Sequence, residues 1–320
     1  MTEFREIGRN DTPASVTVEG LEKRYGDTVA LDGISMSVEP GELFGVIGPD
    51  GAGKSTLFRI LVTIIEPDGG TAVVDGLDIR DDYRAIRRCV GYMPGQFSLY
   101  MDLTVRENLS FFASVFGTSV DEGYDLIAPI YRQIEPFADR RAADLSGDMK
   151  QKLALSCALV HKPRVLILDE PTTGVDAVSR VEFWDMLSSL RDGGITTVVS
   201  TPYMDEAARC DRVALLDRGQ LLQPADVPAA VAADLDAALV RIRSRDDRPA
   251  LLKRLRALDP VRQAYVFGAW IHVTGIQGVS TEKLMEAVRT TVPADDLELE
   301  PADPSIEDVF IARMTENTAG

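Results

Sequence analysis

Along residues 15–222, short apolar runs alternate with segments whose apolar positions recur at helical spacing. Residues 43–47, 165–168, 196–200 and 213–216 are near-continuous apolar or β-branched runs, which predict strands buried on both faces. Residues 54–64, 105–116, 146–161 and 179–191 carry the 3.6-residue period and predict helices. On the third of these, Met149, Leu153, Cys157 and Val160 line up as one stripe expected to face the core. Such alternation predicts an α/β domain built on a mostly parallel sheet. The stretch 16–38, richer in short strand patterns, predicts an antiparallel flank.

The pattern changes after residue 222. Residues 223–238 are rich in Ala, Asp and Pro and read as a linker or a short exposed helix. A strand (238–242), a helix (249–258), two strands around Tyr265 and Ile271, a helix (281–290) and a final amphipathic segment (305–314) follow. The expected organisation is a domain at 1–224 and a small α+β accessory domain at 225–320, as a chain of 320 residues allows. No solenoid-period repeat is visible.

Charge narrows the function classes. Lys and Arg number 34 against 51 Asp and Glu, for a net charge of −17, which argues against nucleic acid as a partner. Cys89, Cys157 and Cys210 lack metal-ligand spacing and are expected to be reduced, mostly buried thiols. The longest apolar stretch, 57–65, is interrupted by Arg59 and is too short to cross a bilayer. Residues 1–15 mix acids and bases and show no apolar leader core, so no signal peptide is expected and any membrane span must come from another chain.

Gly48-Pro49-Asp50-Gly51-Ala52-Gly53-Lys54-Ser55-Thr56 fits the phosphate-loop pattern G-x-x-x-x-G-K-[ST] in full, between a predicted strand and a predicted helix. Glycines let consecutive N–H groups curl toward phosphate oxygens, and the helix N-terminus adds favourable potential. Lys54 then reaches the β- and γ-phosphates, and the Ser55 hydroxyl ligates Mg2+. Downstream, Val165-Leu166-Ile167-Leu168 ends in Asp169-Glu170. This places Asp169 to hold Mg2+ through water and Glu170 to orient or deprotonate an attacking water.

Leu145-Ser146-Gly147-Asp148-Met149-Lys150-Gln151 is close to L-S-G-G-x-x-Q, and Gly174-Val175-Asp176 follows the acidic strand. With these motifs in this order, the chain resembles the ATP-binding subunits of ATP-binding-cassette (ABC) transporters. Phe97-Ser98-Leu99-Tyr100, Tyr203-Met204-Asp205-Glu206-Ala207 and Pro304-Ser305-Ile306-Glu307-Asp308-Val309-Phe310 resemble the multidrug-exporter branch. The resemblance implies a phosphate-loop ATPase cassette with a helical signature subdomain, at the cytoplasmic face of the membrane through a separate permease. It implies that Tyr25 stacks on adenine, and that Ser146 and Gly147 close over the triphosphate held by a second cassette. Asp176 couples the two sites, and residues 95–112, including Phe97, Leu99, Tyr100 and Leu103, receive the permease. ATP binding pairs the cassettes and hydrolysis releases them.

Three positions depart from the family pattern. Gly95 follows Pro94 where the family places glutamine, leaving Gln96 one residue late; Asp148 replaces the second signature glycine; Pro202 stands at the switch-histidine position. Asp148 adds a negative charge beside the partner's γ-phosphate and, with Pro202 and Gly95, is expected to slow turnover. The two histidines are His161 and His272; His161 is expected to face solvent at a helix end, where a cation suits the dipole. Two rival readings stand beside the exporter ATPase. An ABC ATPase acting on DNA or ribosomes would need a second cassette, a coiled-coil insertion or basic arms, and the chain shows none. A nucleotide-gated cassette with little or no hydrolysis fits the departures but not the intact Lys54, Asp169 and Glu170.

Overall fold

The computed structural model describes residues 15–96, 98–235, 237–244, 248–292 and 297–318. It divides into two compact units, the first ending at Pro228 and the second starting at Ala229.

The first unit runs β1 (Val16–Tyr25), β2 (Thr28–Val38), β3 (Leu43–Ile47), α1 (Lys54–Leu61), β4 (Gly69–Val74), β5 (Leu77–Asp78), α2 (Tyr83–Cys89) and β6 (Val90–Met93). It continues through α3 (Val105–Val115), α4 (Val120–Tyr131), α5 (Gly147–Leu159), β7 (Val165–Asp169), α6 (Ala177–Asp192), β8 (Thr196–Thr201), β9 (Arg212–Asp217) and β10 (Gln220–Leu221). The main sheet has the order β10-β9-β3-β8-β7-β6, parallel except for β10. β3, β7 and β8 are buried at every residue, because helices cover both faces of a parallel sheet and leave no polar side for alternation. The antiparallel flank is a separate sheet, β2-β1-β4-β5. The expected α/β cassette with a parallel sheet and antiparallel flank is the observed fold.

α5 differs from expectation in its surroundings. Residues 151–159 of it are all buried, so there is no single apolar stripe, and Met149 is only half-buried. The cause is that α5 runs inside the layer formed by α3, α4 and β6 and has no solvent face over residues 151–159. His161, just beyond its end, is likewise not a solvent-facing cation. Its ring stacks on Phe116 at 3.7 Å, and burial holds its pKa below the ordinary histidine value. Cys157 and Cys210 are buried free thiols and Cys89 is half-buried.

After α7 (Pro228–Ala233), the second unit adds β11 (Leu239–Arg243), α8 (Arg248–Arg256), β12 (Val261–Phe267), β13 (Trp270–Gly275), α9 (Thr281–Thr291), β14 (Glu298–Pro301) and α10 (Ile306–Thr318). Its sheet, β12-β13-β11-β14, is antiparallel throughout. Val240, Ile242 and Val273 meet Leu251 and Leu255 of α8 and Leu284 and Val288 of α9 in its core. α10 is fastened by fully buried Asp308. One carboxylate oxygen accepts from His272 Nδ1 at 2.7 Å and from the Tyr265 hydroxyl; the other accepts from the Ser305 amide at 2.8 Å. Burial alone would raise the Asp308 pKa, but these donors outweigh it and hold the group below the usual carboxylate value.

Candidate functional site

The carboxyl ends of β3, β8 and β7 lie side by side, so the loops that leave them share one edge of the sheet, where open α/β folds place ligands. The loop after β3 carries residues 48–53 and enters α1 at Lys54. Gly53 caps that helix with φ 112°, and a Cβ there would stand 2.5 Å from the Ala30 carbonyl, so both backbone and space demand glycine. Asp50 and Gly51 are exposed, Pro49, Ser55 and Thr56 are half-buried, and Ala52 and Gly48 are buried. Ser55 and Thr56 lie in the first turn of α1, beside Lys54.

Lys54 is buried, and its Nζ is 2.7 Å from the Gly48 carbonyl, 2.9 Å from the Pro49 carbonyl and 3.0 Å from Glu170 Oε1. Glu170 follows β7 in a left-handed backbone conformation, φ 49°, a strained state for a side-chain-bearing residue of the kind found at functional sites. Ser200 holds this corner: its hydroxyl donates to Asp169 Oδ1 at 2.8 Å and accepts the Glu170 amide at 2.9 Å. The structure therefore brings Lys54, Asp169 and Glu170 together. Ser200, which sequence reasoning read only as a strand residue, is what joins the two acids.

The other predicted positions are more open. Tyr25 ends β1 with 48% exposure, its ring 5.8 Å from Lys23 Nζ. Gln96 is exposed, and a Cβ at Gly95 would stand 3.2 Å from the Asp169 carbonyl. Ser146 and Gly147 are exposed; Ser146 caps α5 by accepting from the Met149 amide at 3.3 Å. Gln151 is fully buried and donates to the Pro171 carbonyl, tying the signature helix to the turn after Glu170. Asp176 caps α6, accepting from the amides of Val178 and Ser179, and its pKa is lowered by the Ser179 amide and hydroxyl. Beside Pro202, buried Glu206 accepts from Thr172 and Thr201, with Arg180 Nε 3.7 Å away.

Asp148 does not stand as an isolated charge. Lys152 Nζ lies 3.0 Å from its Oδ2 and 3.3 Å from Glu182 Oε2. The 148–152 spacing, acid one helical turn before base, was the available signal.

A groove of about 460 Å3 opens where Ile64, Arg87, Tyr92, Leu99 and Phe116 meet. Burial first, and then the charge of Asp169, push the Tyr92 hydroxyl up to about 12. On its approach, Tyr100 and Phe111 are exposed and meet edge-on at 4.6 Å. Buried Asn108 shapes this loop, accepting from the Tyr100 amide at 2.9 Å and donating to the carbonyls of Tyr100, Leu103 and Thr104. Of the residues expected to receive the permease, Tyr100 is exposed, Leu99 buried and Leu103 half-buried; Phe97 lies outside the described residues.

A family model described as ABC transporter matches residues 31–173. The Nod factor export ATP-binding protein I of Burkholderia orbicola is 38% identical over 243 residues, covering 75% of this chain and 79% of that protein. The chain belongs to the ABC transporter ATP-binding proteins. The probable multidrug ABC transporter ATP-binding protein YbhF of Escherichia coli is 35% identical over 302 residues; the alignment takes in 93% of this chain and 52% of YbhF, so the chain spans about half of that relative. Among solved structures, the dimeric MJ0796, a bacterial ABC transporter cassette, aligns with a TM-score of 0.59 at 26% identity over 65% of this chain and 97% of that one.

Proposed function

We propose that this chain binds and hydrolyses ATP to power export through a separate membrane permease. The observation that carries the reading is the convergence of Lys54, Asp169 and Glu170 at one sheet edge beside a complete phosphate loop. Backbone amides of Asp50, Gly51, Gly53 and Lys54 and the Lys54 amine bind the triphosphate, and Tyr25 supplies an exposed ring for adenine. Asp169 has one oxygen held by Ser200, and Ser55 offers a hydroxyl; a carboxylate and a hydroxyl suit Mg2+, which retains water and phosphate oxygens. Bound there, Mg2+ supplies charge for the phosphate oxygens. Glu170 orients the attacking water and accepts its proton.

Ser146, Gly147 and Asp176 are exposed, and Val178 next to Asp176 is 72% exposed. An apolar residue left open among polar contact positions supports pairing with a second cassette, as does the likeness to the dimeric MJ0796. The groove near Tyr100 and Phe111 is the permease-docking surface, since aromatic residues are enriched in interface cores. Relatives named for multidrug and Nod factor export support an exporter. Among the described residues no helix is long and apolar enough to cross a membrane, and the proposed site of work is the cytoplasmic face, peripheral through the permease. The accessory domain, 225–320, stabilises the assembly by packing.

A second reading, a nucleotide-gated cassette with little or no hydrolysis, is favoured by Gly95, Asp148 and Pro202. Phosphate release by the purified protein, with and without Glu170→Gln, separates the two. Mg-ATP turnover that Glu170→Gln abolishes supports the first reading. Nucleotide binding with no turnover in either protein supports the second.

A further inference from the structure

We propose that Lys152 is a positioning residue that neutralises Asp148 and turns its carboxylate inward, keeping the signature turn open to the phosphates of a paired cassette. The inference rests on the functional reading above. Asp148 is in the first turn of α5, where the helix N-terminus carries partial positive charge. An acid there takes up the field that otherwise favours an incoming anion and adds repulsion of its own.

Two observations show how the chain offsets this. Asp148 Oδ2 is 3.0 Å from Lys152 Nζ, and Oδ1 is buried without a hydrogen-bond partner. The carboxylate is thus folded against the protein, while Ser146 and Gly147 stay exposed. The Lys152 side chain is only 7% exposed, so water and salt screen this pair less than an ordinary surface pair. The same ammonium reaches Glu182 Oε2 at 3.3 Å on α6, the helix that Asp176 caps. One cation therefore touches both the signature helix and the helix that begins at the coupling aspartate. A buried ammonium requires paired anions, and Asp148 and Glu182 supply them.

The test uses the full chain carrying Glu170→Gln, titrated with Mg-ATP while dimer is followed by sedimentation velocity. Lys152→Met keeps the length of the stem and removes the charge; it should raise the half-maximal ATP concentration at least tenfold. Adding Asp148→Asn to Lys152→Met should return that concentration to within about threefold of the parent, and Lys152→Arg should leave it near the parent. A purely packing role for Lys152 gives no rescue by Asp148→Asn, and that result overturns the inference. So does a Lys152→Met protein that dimerises like the parent. A parent that binds ATP, seen as a nucleotide-dependent melting shift, but forms no dimer overturns the paired-cassette reading and this inference with it. A parent that binds no ATP overturns the functional reading itself.

Discussion

Lys54 and Glu170 are paired across the site: Lys54 Nζ is 3.0 Å from Glu170 Oε1, with the lysine side chain 3% exposed and the glutamate 21% exposed. The phosphate loop's cation and the carboxylate proposed for water activation thus hold each other, and a triphosphate competes with Glu170 for Lys54.

Mg-ATP should raise the melting temperature of the wild-type chain, because a ligand that binds only the folded state stabilises it. Lys54→Ala should lose that rise. Glu170→Gln should keep it and bind ATP at least as tightly, having lost the competing carboxylate. Equal melting shifts in wild type and Lys54→Ala would contradict the assignment of the loop.

Ser200→Ala removes the hydroxyl that donates to Asp169 and accepts from the Glu170 amide. Leaving buried polar groups unpaired should cost about 1–3 kcal/mol in chemical unfolding. Turnover should fall by about tenfold or more as Asp169 and Glu170 lose their common anchor. Unchanged turnover would show that the hydroxyl serves stability alone.

Tyr100→Ser combined with Phe111→Ser should weaken co-purification with the permease and leave the ATP-dependent melting shift intact. Both rings are exposed and the loop that presents Tyr100 is held by Asn108. Undiminished co-purification would move the docking surface elsewhere.

His161 sets a pH dependence with a definite sign. Its folded pKa is depressed by burial, whereas the unfolded chain takes up a proton at about 6.5. Its contribution to stability is therefore present above about pH 6.5 and is lost as pH falls through the folded value. Melting curves at pH 7.5 and pH 5 should show His161→Phe matching wild type at the higher pH and exceeding it at the lower. The replacement keeps the stack on Phe116. Parallel losses in both proteins would exclude His161 as the titrating group.

Much of the cassette could be read from the chain because its signals are local. The residues of β3 form one apolar run, and the left-handed backbone before α1 fixes a glycine at position 53. What escaped depends on neighbours distant in sequence. α5 lost its expected stripe because other elements surround it. Ser200 acquired a role because β8 lies against β7. His161 found Phe116 across the helical layer, so the dipole argument, sound for an exposed helix end, did not apply. β14, four residues with two acids, shows no strand pattern by itself and is made by pairing with β11, through Arg241–Glu300 and Arg243–Glu298.

Gly95 ties the loop after β6 to the end of β7. The loop after β6 has settled so closely on the end of β7 that a Cβ at position 95 would crowd the Asp169 carbonyl at 3.2 Å. A side chain at position 95 fits only if that carbonyl yields by a few tenths of an ångström, and the same residue carries the Ser200 contact. A larger residue at position 95 is then accommodated only as far as the end of β7 can shift, so the loop after β6 bounds where Asp169 can stand.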